Sequence, residues 1–225
     1  MKFASAIFLI VVLFIASTRL AWSQSFVNLD FEDATIAPTP VGGSTYPANP
    51  AQAFPGWNVA GGGGNLAVMY NTLSLGAPAV SLMGPDFPNG AGFIPLQGSY
   101  STALYYQNLG FFAPPTLSQT AFVPADAQSI SFLVGNGQSD AVVLLNGINI
   151  SLIPVFGGRL TGDISAFAGS VATLTFTTTS RMGGNFLYFD DIQFSSLPVP
   201  EPSTLALGAL GALLAGSRRW RNFSR

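Results

Sequence analysis

The chain has 225 residues, of which 8 are Lys or Arg and 10 are Asp or Glu, and it contains neither His nor Cys. Without Cys there is no disulfide framework, thiol nucleophile or thiolate zinc site, and without His there is no Ser-His-Asp triad and no imidazole base or ligand. Eight basic residues are too few for a nucleic-acid footprint, so no nucleic-acid partner is expected.

The first element in chain order is a leader. Lys2 precedes an apolar run from Phe3 to Ala16, and the small residues Ala21 and Ser23 flank Trp22. That order of parts predicts a secretory signal peptide over 1–23, read by the Sec machinery and cut after Ser23. The alternative, an uncleaved anchor, needs a run of about 20 apolar residues, and this one is shorter.

The region 24–199 holds nine acids and only two bases, Arg159 and Arg181, for a formal charge of −7. A single β-domain is predicted over 24–197. FVNLDFE (26–32) alternates, with Val27, Leu29 and Phe31 on one side and Asn28, Asp30 and Glu32 on the other. Further strands are predicted over 65–70, 99–109, 129–134, 140–155, 171–179 and 185–196. Within 140–155, Asn146-Gly147 between apolar runs signals a tight hairpin. No segment has sustained helical spacing, although 165–169 suits one helical turn. Residues 33–64, with five Pro and four consecutive Gly, read as a long loop, and 84–98 as another. Many short strands punctuated by Gly and Pro predict an all-β fold, an antiparallel sandwich or barrel.

The chain ends on Pro200, Glu201 and Pro202, an uncharged apolar run within about 203–217, and Arg218, Arg219 and Arg221. Prolines hold the backbone extended before the run, the run can enter lipid as a helix, and the arginines stay on the cytoplasmic side. This order parallels a processed C-terminal anchor. Six of the eight bases belong to the two ends, and the mean hydropathy of +0.44 is raised by their apolar runs.

The tail resembles the PEP-CTERM sorting signal of Gram-negative bacteria. That resemblance implies export, transient inner-membrane insertion through 198–225, and an exosortase as partner, cutting near the triplet. The run Ser203–Ser217 is shorter than a bilayer core, which departs from an ideal span.

The middle region resembles galactose-binding-like jelly rolls, as found in carbohydrate-binding modules. The resemblance rests on N-L-D-F-E (28–32), P-G-W (55–57), L-S-Q-T (117–120), D-I-S-A-F-A-G (163–169), L-T-F (174–176) and F-D-D-I-Q-F (189–194) in that order. It implies a sandwich whose first and last strands lie side by side, bringing Asp30, Glu32 and Asp33 near Asp190 and Asp191. Such a cluster suits Ca2+, a hard cation that takes six to eight oxygens. The resemblance implies a structural calcium there, with Glu32 and Asp191 as best matches and Asp30 and Asp190 beside them. The alternative is that these carboxylates face solvent at strand ends.

For catalysis, glycoside hydrolysis needs two carboxyls, one with a raised pKa, and Glu32 is the only Glu of the middle region. No G-x-S-x-G motif occurs, and neither His nor Lys is available there as a base. An enzyme is therefore not expected. Sugar binding needs exposed aromatic rings. Tyr46, Phe111 and Phe112 are candidates because they lie in Gly/Pro-rich loops. Trp57, following Pro-Gly, is expected in the core. The sequence thus reads as an exported, non-catalytic surface or matrix protein that associates with exopolysaccharide. The alternatives are a carboxylate-dependent glycosidase and a structural adhesive protein without a specific ligand.

Overall fold

The computed structural model describes residues 24–36, 47–64, 66–73, 78–87, 94–107, 112–135, 141–179 and 185–199. The expected leader, the Pro-Glu-Pro triplet with its arginines, and the predicted membrane span all lie outside them. Among the described residues no helix is long and apolar enough to cross a membrane.

The fold is all-β, in two sheets. A short helix α1 (Pro50–Ala53) precedes β1 (Asn58–Ala60), β2 (Ala67–Tyr70), β3 (Ala79–Met83), β4 (Ser101–Tyr106), β5 (Thr116–Phe122) and β6 (Ser129–Val134). Then come β7 (Ala141–Leu145), β8 (Ile148–Asn149), β9 (Leu152–Val155), β10 (Arg159–Asp163), β11 (Val171–Thr178) and β12 (Asn185–Ser195). The five-stranded sheet has the order β1-β5-β11-β7-β8, and the seven-stranded sheet β2-β3-β4-β12-β6-β10-β9. Among the strands of the described residues, β2 and β3 pair in parallel and the other pairs are antiparallel.

Both sheets contribute to one apolar core. Leu117, Val143, Leu145, Leu174 and Phe176 come from the first sheet, and Val80, Leu82, Leu104, Phe132, Leu187 and Phe189 from the second. Phe176 and Phe189 stack across it at 4.6 Å and 14°, and Phe132 meets Phe176 edge-on at 5.2 Å. Each such ring removed from water contributes about 1.5–3 kcal/mol. Trp57 is in this core as expected, 6.2 Å from Phe176. Its indole N–H donates to the Asn28 carbonyl at 2.9 Å, which satisfies the polar edge that burial would otherwise strand.

The opening segment departs from expectation. Residues 26–32 are not a strand: 26–28 are irregular, 29–33 form turns and a bend, and Ser25 makes an isolated bridge to Phe122. Asn28 and Phe31 take left-handed backbone, with φ of 49° and 59°. Local polar bonds outcompete the ladder. The Asn28 amide donates to Pro55 O, and its Oδ1 accepts from Asp33 N–H. The turn drives Phe31 fully into the core, against Phe54, Trp57 and Phe189. The expected closeness of the two ends nevertheless holds, since Ile192 N–H donates to Leu29 O at 2.9 Å.

The predicted 140–155 strand is three strands. Asn146 and Gly147 both have positive φ, the signature of a tight hairpin joining β7 to β8. The chain then changes sheets at Ile150–Ser151, and β9 pairs with β10 instead. Strands β1, β3, β5 and β10 were not predicted. β3 is buried on both faces, so it shows no alternation. One face packs on the main core. The other presents Met83 to Phe87, Ala103 and Tyr188, a second apolar cluster joined by Leu73 and Leu96, and Ala79 to Ala67 and Met69.

Candidate functional site

Strand β12 organises the acidic residues. Its pairing with β6 shifts register between Asp190 and Gln193, a bulge in which Asp191 adopts a φ of 46°. The extra residue re-aims two neighbouring carboxylates in different directions. Asp191 turns to Arg159, which donates from Nη1 to Oδ2 at 2.6 Å, and the Gln193 amide donates to both its oxygens. Arg159 is the only Lys or Arg among the described residues. It is wholly engaged, bonding also to Ser131 and to the Asp191 carbonyl.

Asp190 turns the other way and is fully buried. Its Oδ2 accepts from Gln97 N–H at 3.0 Å and from Ser101 Oγ–H at 2.7 Å, and its Oδ1 from Asp191 N–H at 2.6 Å. Burial pushes its pKa up to about 7; those three donors act against the rise, and the Glu32 charge adds to it. Glu32 grips the same loop from the other side. Its Oε1 accepts from Ser99 N–H at 2.7 Å and Tyr100 N–H at 2.9 Å. Gly98, at φ 58°, brings the backbone so close that a Cβ there would run into the Glu32 carboxylate.

The jelly-roll resemblance implied a calcium held by Glu32 and Asp191, with Asp30 and Asp190 beside them. Among the described residues no three metal-ligating side chains converge. Glu32 and Asp190 clamp the 94–101 loop through backbone N–H groups. Asp191 is neutralised by a guanidinium, and Asp30 Oδ1 takes the Glu32 N–H at 3.4 Å. Arranged this way, Glu32, Asp190 and Asp191 spend their oxygens on protein donors rather than converging on one point.

Of the aromatic candidates, Tyr46 and Phe111 lie outside the described residues. Phe112 is half-buried, and its carbonyl accepts the Tyr106 hydroxyl at 2.8 Å. The structure offers another ring. Phe156 is fully exposed at the turn between β9 and β10, ahead of Gly157 and Gly158. An aromatic immediately before Gly-Gly was the signal in the sequence that could have found it. Tyr105 and Phe186, paired across β4 and β12, meet at 4.8 Å in a tilted arrangement on the outer face of the seven-stranded sheet.

The outer face of the five-stranded sheet is uncharged and mixes hydroxyl, amide and apolar side chains, its hydroxyls lying on β5 and β11. Pairing registers align Asn58, Ser118, Thr175, Leu144 and Asn149 in one row, and Ala60, Thr116, Thr177 and Val142 in the next. Thr120 lies opposite Thr173, their hydroxyls 2.7 Å apart. None of these side chains is ionisable, although the region as a whole is strongly acidic. Hydroxyls thus repeat at about 4.8 Å across strands and about 6.7 Å along them.

The end of the molecule where the chain leaves the fold is also well defined. Gln128 N–H donates to Ser195 O at 2.8 Å. Ser129 Oγ–H donates to Leu197 O at 2.8 Å, and Leu197 N–H to Ser195 Oγ at 3.0 Å. Beside this exit lies an open cleft of about 290 Å³ lined by Pro124, Asp126, Ala127, Phe194, Ser195 and Ser196. The expected sorting residues Pro200, Glu201, Pro202, Arg218, Arg219 and Arg221 follow, outside the described residues.

Comparison with solved structures finds a carbohydrate-binding module, TmCBM61, in complex with beta-1,4-galactotriose. It is 14% identical, with a TM-score of 0.38 over 76% of this chain and 97% of that one. Tailspike protein 4 of bacteriophage CBA120, in its enzymatically active domain, is 17% identical, with a TM-score of 0.35 over 63% of this chain and 19% of that one. A glycoside hydrolase family 43 arabinoxylan arabinofuranohydrolase from Bacillus subtilis is 17% identical, with a TM-score of 0.33 over 62% of this chain and 27% of that one. No curated protein sequence matches the chain. A family model for the PEP-CTERM protein-sorting motif matches residues 198–221. The chain therefore carries at its C-terminal end a PEP-CTERM motif, the recognition signal of an exosortase.

Proposed function

We propose that this is a non-catalytic protein of the cell surface or extracellular matrix. A signal peptide over 1–23 starts its export, an exosortase removes its tail near Glu201, and a jelly-roll domain over 24–197 associates with exopolysaccharide. The observation that carries the reading is the sorting motif at 198–221, which marks the chain for export and membrane-anchored sorting. Association with a hydroxyl-rich polymer is supported by the uncharged outer face of the five-stranded sheet, where Thr116, Ser118 and Thr120 of β5 face Thr177, Thr175 and Thr173 of β11. They offer donors and acceptors at sugar-like spacing without the repulsion that the acids elsewhere would exert.

The glycosidase alternative has one observation on its side, the raised pKa of Asp190. A general acid must touch the glycosidic oxygen. Asp190 is fully buried under the 94–101 loop, and both its oxygens are engaged. The non-catalytic reading is therefore preferred. Binding of the exported protein to its host's exopolysaccharide and to a glycan array is the test. Thr175→Asp is expected to weaken capture at least fivefold without lowering the melting temperature. Turnover of chromogenic glycosides would overturn the proposal. Absence of binding to every glycan would leave the structural adhesive reading in its place.

A further inference from the structure

The fold and the sorting motif have almost no linker between them. Strand β12 ends at Ser195, and its last pairing is Ser195 with Ser129. Beyond the strand, Leu197 is still held at both its N–H and its carbonyl, by Ser195 Oγ and Ser129 Oγ. The motif begins at the next residue, Pro198. Only Pro198 and Val199 separate Leu197 from Pro200, a reach of about 10 Å at full extension. Prolines at 198, 200 and 202 stiffen that stretch, so the domain cannot swing clear of whatever grips the triplet.

An enzyme that reads a peptide generally takes it extended in a groove several residues long. The residues preceding the triplet are those pinned to the fold. We propose that this end of the domain is the surface that meets the exosortase. It comprises the 123–128 loop, the cleft beside Phe194 and the exit residues Ser195–Pro198. Releasing residues 195–197 from it is a step in engaging the motif. The step breaks two hydrogen bonds to the rest of the domain, from Gln128 N–H and Ser129 Oγ–H, together with the terminal Ser195–Ser129 pairing, and no apolar core contact of Leu197, whose side chain is exposed. The release is thus local, leaving the stacked core around Phe176 and Phe189 intact.

This inference rests on reading the tail as an exosortase substrate. The test follows tail removal by pulse-chase and C-terminal mass, using the full chain in an exosortase-bearing Gram-negative host. Ser129→Ala, which deletes the donor to Leu197 O, is expected to speed removal about fivefold, the factor that one hydrogen bond corresponds to. An eight-residue Gly-Ser spacer inserted between Leu197 and Pro198 leaves both the strand pairing at Ser195 and the matched motif whole. It is expected to speed removal by at least as much and to make Ser129→Ala silent when the two are combined. Unchanged or slower removal in the spacer variant overturns the inference while leaving the exosortase reading in place. An intact tail on the wild-type protein overturns both.

Discussion

Glu32 holds the 94–101 loop by accepting two backbone N–H groups on one oxygen, and Gly98 makes room for it. Removing the carboxylate in Glu32→Ala forfeits two charge-assisted bonds. Because Glu32 is only half-buried, water takes over part of the role, and the net loss is about 1–2 kcal/mol. Glu32→Gln keeps an oxygen at the accepting position and should cost only about 0.5 kcal/mol. Gly98→Ala places a Cβ in the left-handed region, costing about 1 kcal/mol, and drives it into the carboxylate as well. In the Glu32→Ala background that collision is gone and only the backbone cost remains. The double variant should then be about 1 kcal/mol more stable than the sum of the singles predicts. Each kcal/mol corresponds to about 2–4 °C of melting temperature at this size. Thermal melts of the four proteins measure the cycle directly. Additivity within about 0.5 kcal/mol, or equal losses for the Ala and Gln variants, would show that the clamp does not hold the loop.

Phe176→Ala removes the ring that Trp57, Phe132 and Phe189 pack around, and should cost about 3–5 kcal/mol, lowering the melting temperature by about 10–15 °C. Asp190 keeps its proton in the folded state to about pH 7, whereas the unfolded chain releases it near 3.8. Its stabilising contribution is therefore complete below about pH 4 and lost as pH rises through 7. The melting temperature should fall between pH 5 and 8, and Asp190→Asn should flatten that slope; a rise over the same range in the wild type refutes the reasoning. Asp163, held below the usual carboxylate range by the Ser165 N–H, acts in the opposite sense, but only below about pH 4. Chelation with EDTA should leave the melting temperature unchanged, since Glu32, Asp190 and Asp191 already have partners. A drop reversed by added calcium would reinstate the cation.

By itself the sequence determined the properties that depend on composition and local order. Missing His and Cys removed whole classes of chemistry. The triplet, apolar run and arginines marked the sorting tail, because an exosortase reads contiguous chain. Short strand-like runs between Gly- and Pro-rich turns located β6, β11 and β12, and Asn-Gly located the β7–β8 turn, since both are short-range effects of the backbone. Tertiary structure alone decided the rest. β3 hides in a short apolar run because both its faces are covered. The 26–32 segment reads as a strand, yet Asn28, Pro55 and Trp57, distant in sequence, fold it into turns that bury Phe31. The carboxylates show the same limit most clearly. Proximity of Glu32 to Asp190 was legible from the pairing of the chain's ends. Their partners were not, because a one-residue bulge in β12 sends Asp191 to Arg159 and Asp190 to the loop, and register is set by packing across the whole sheet.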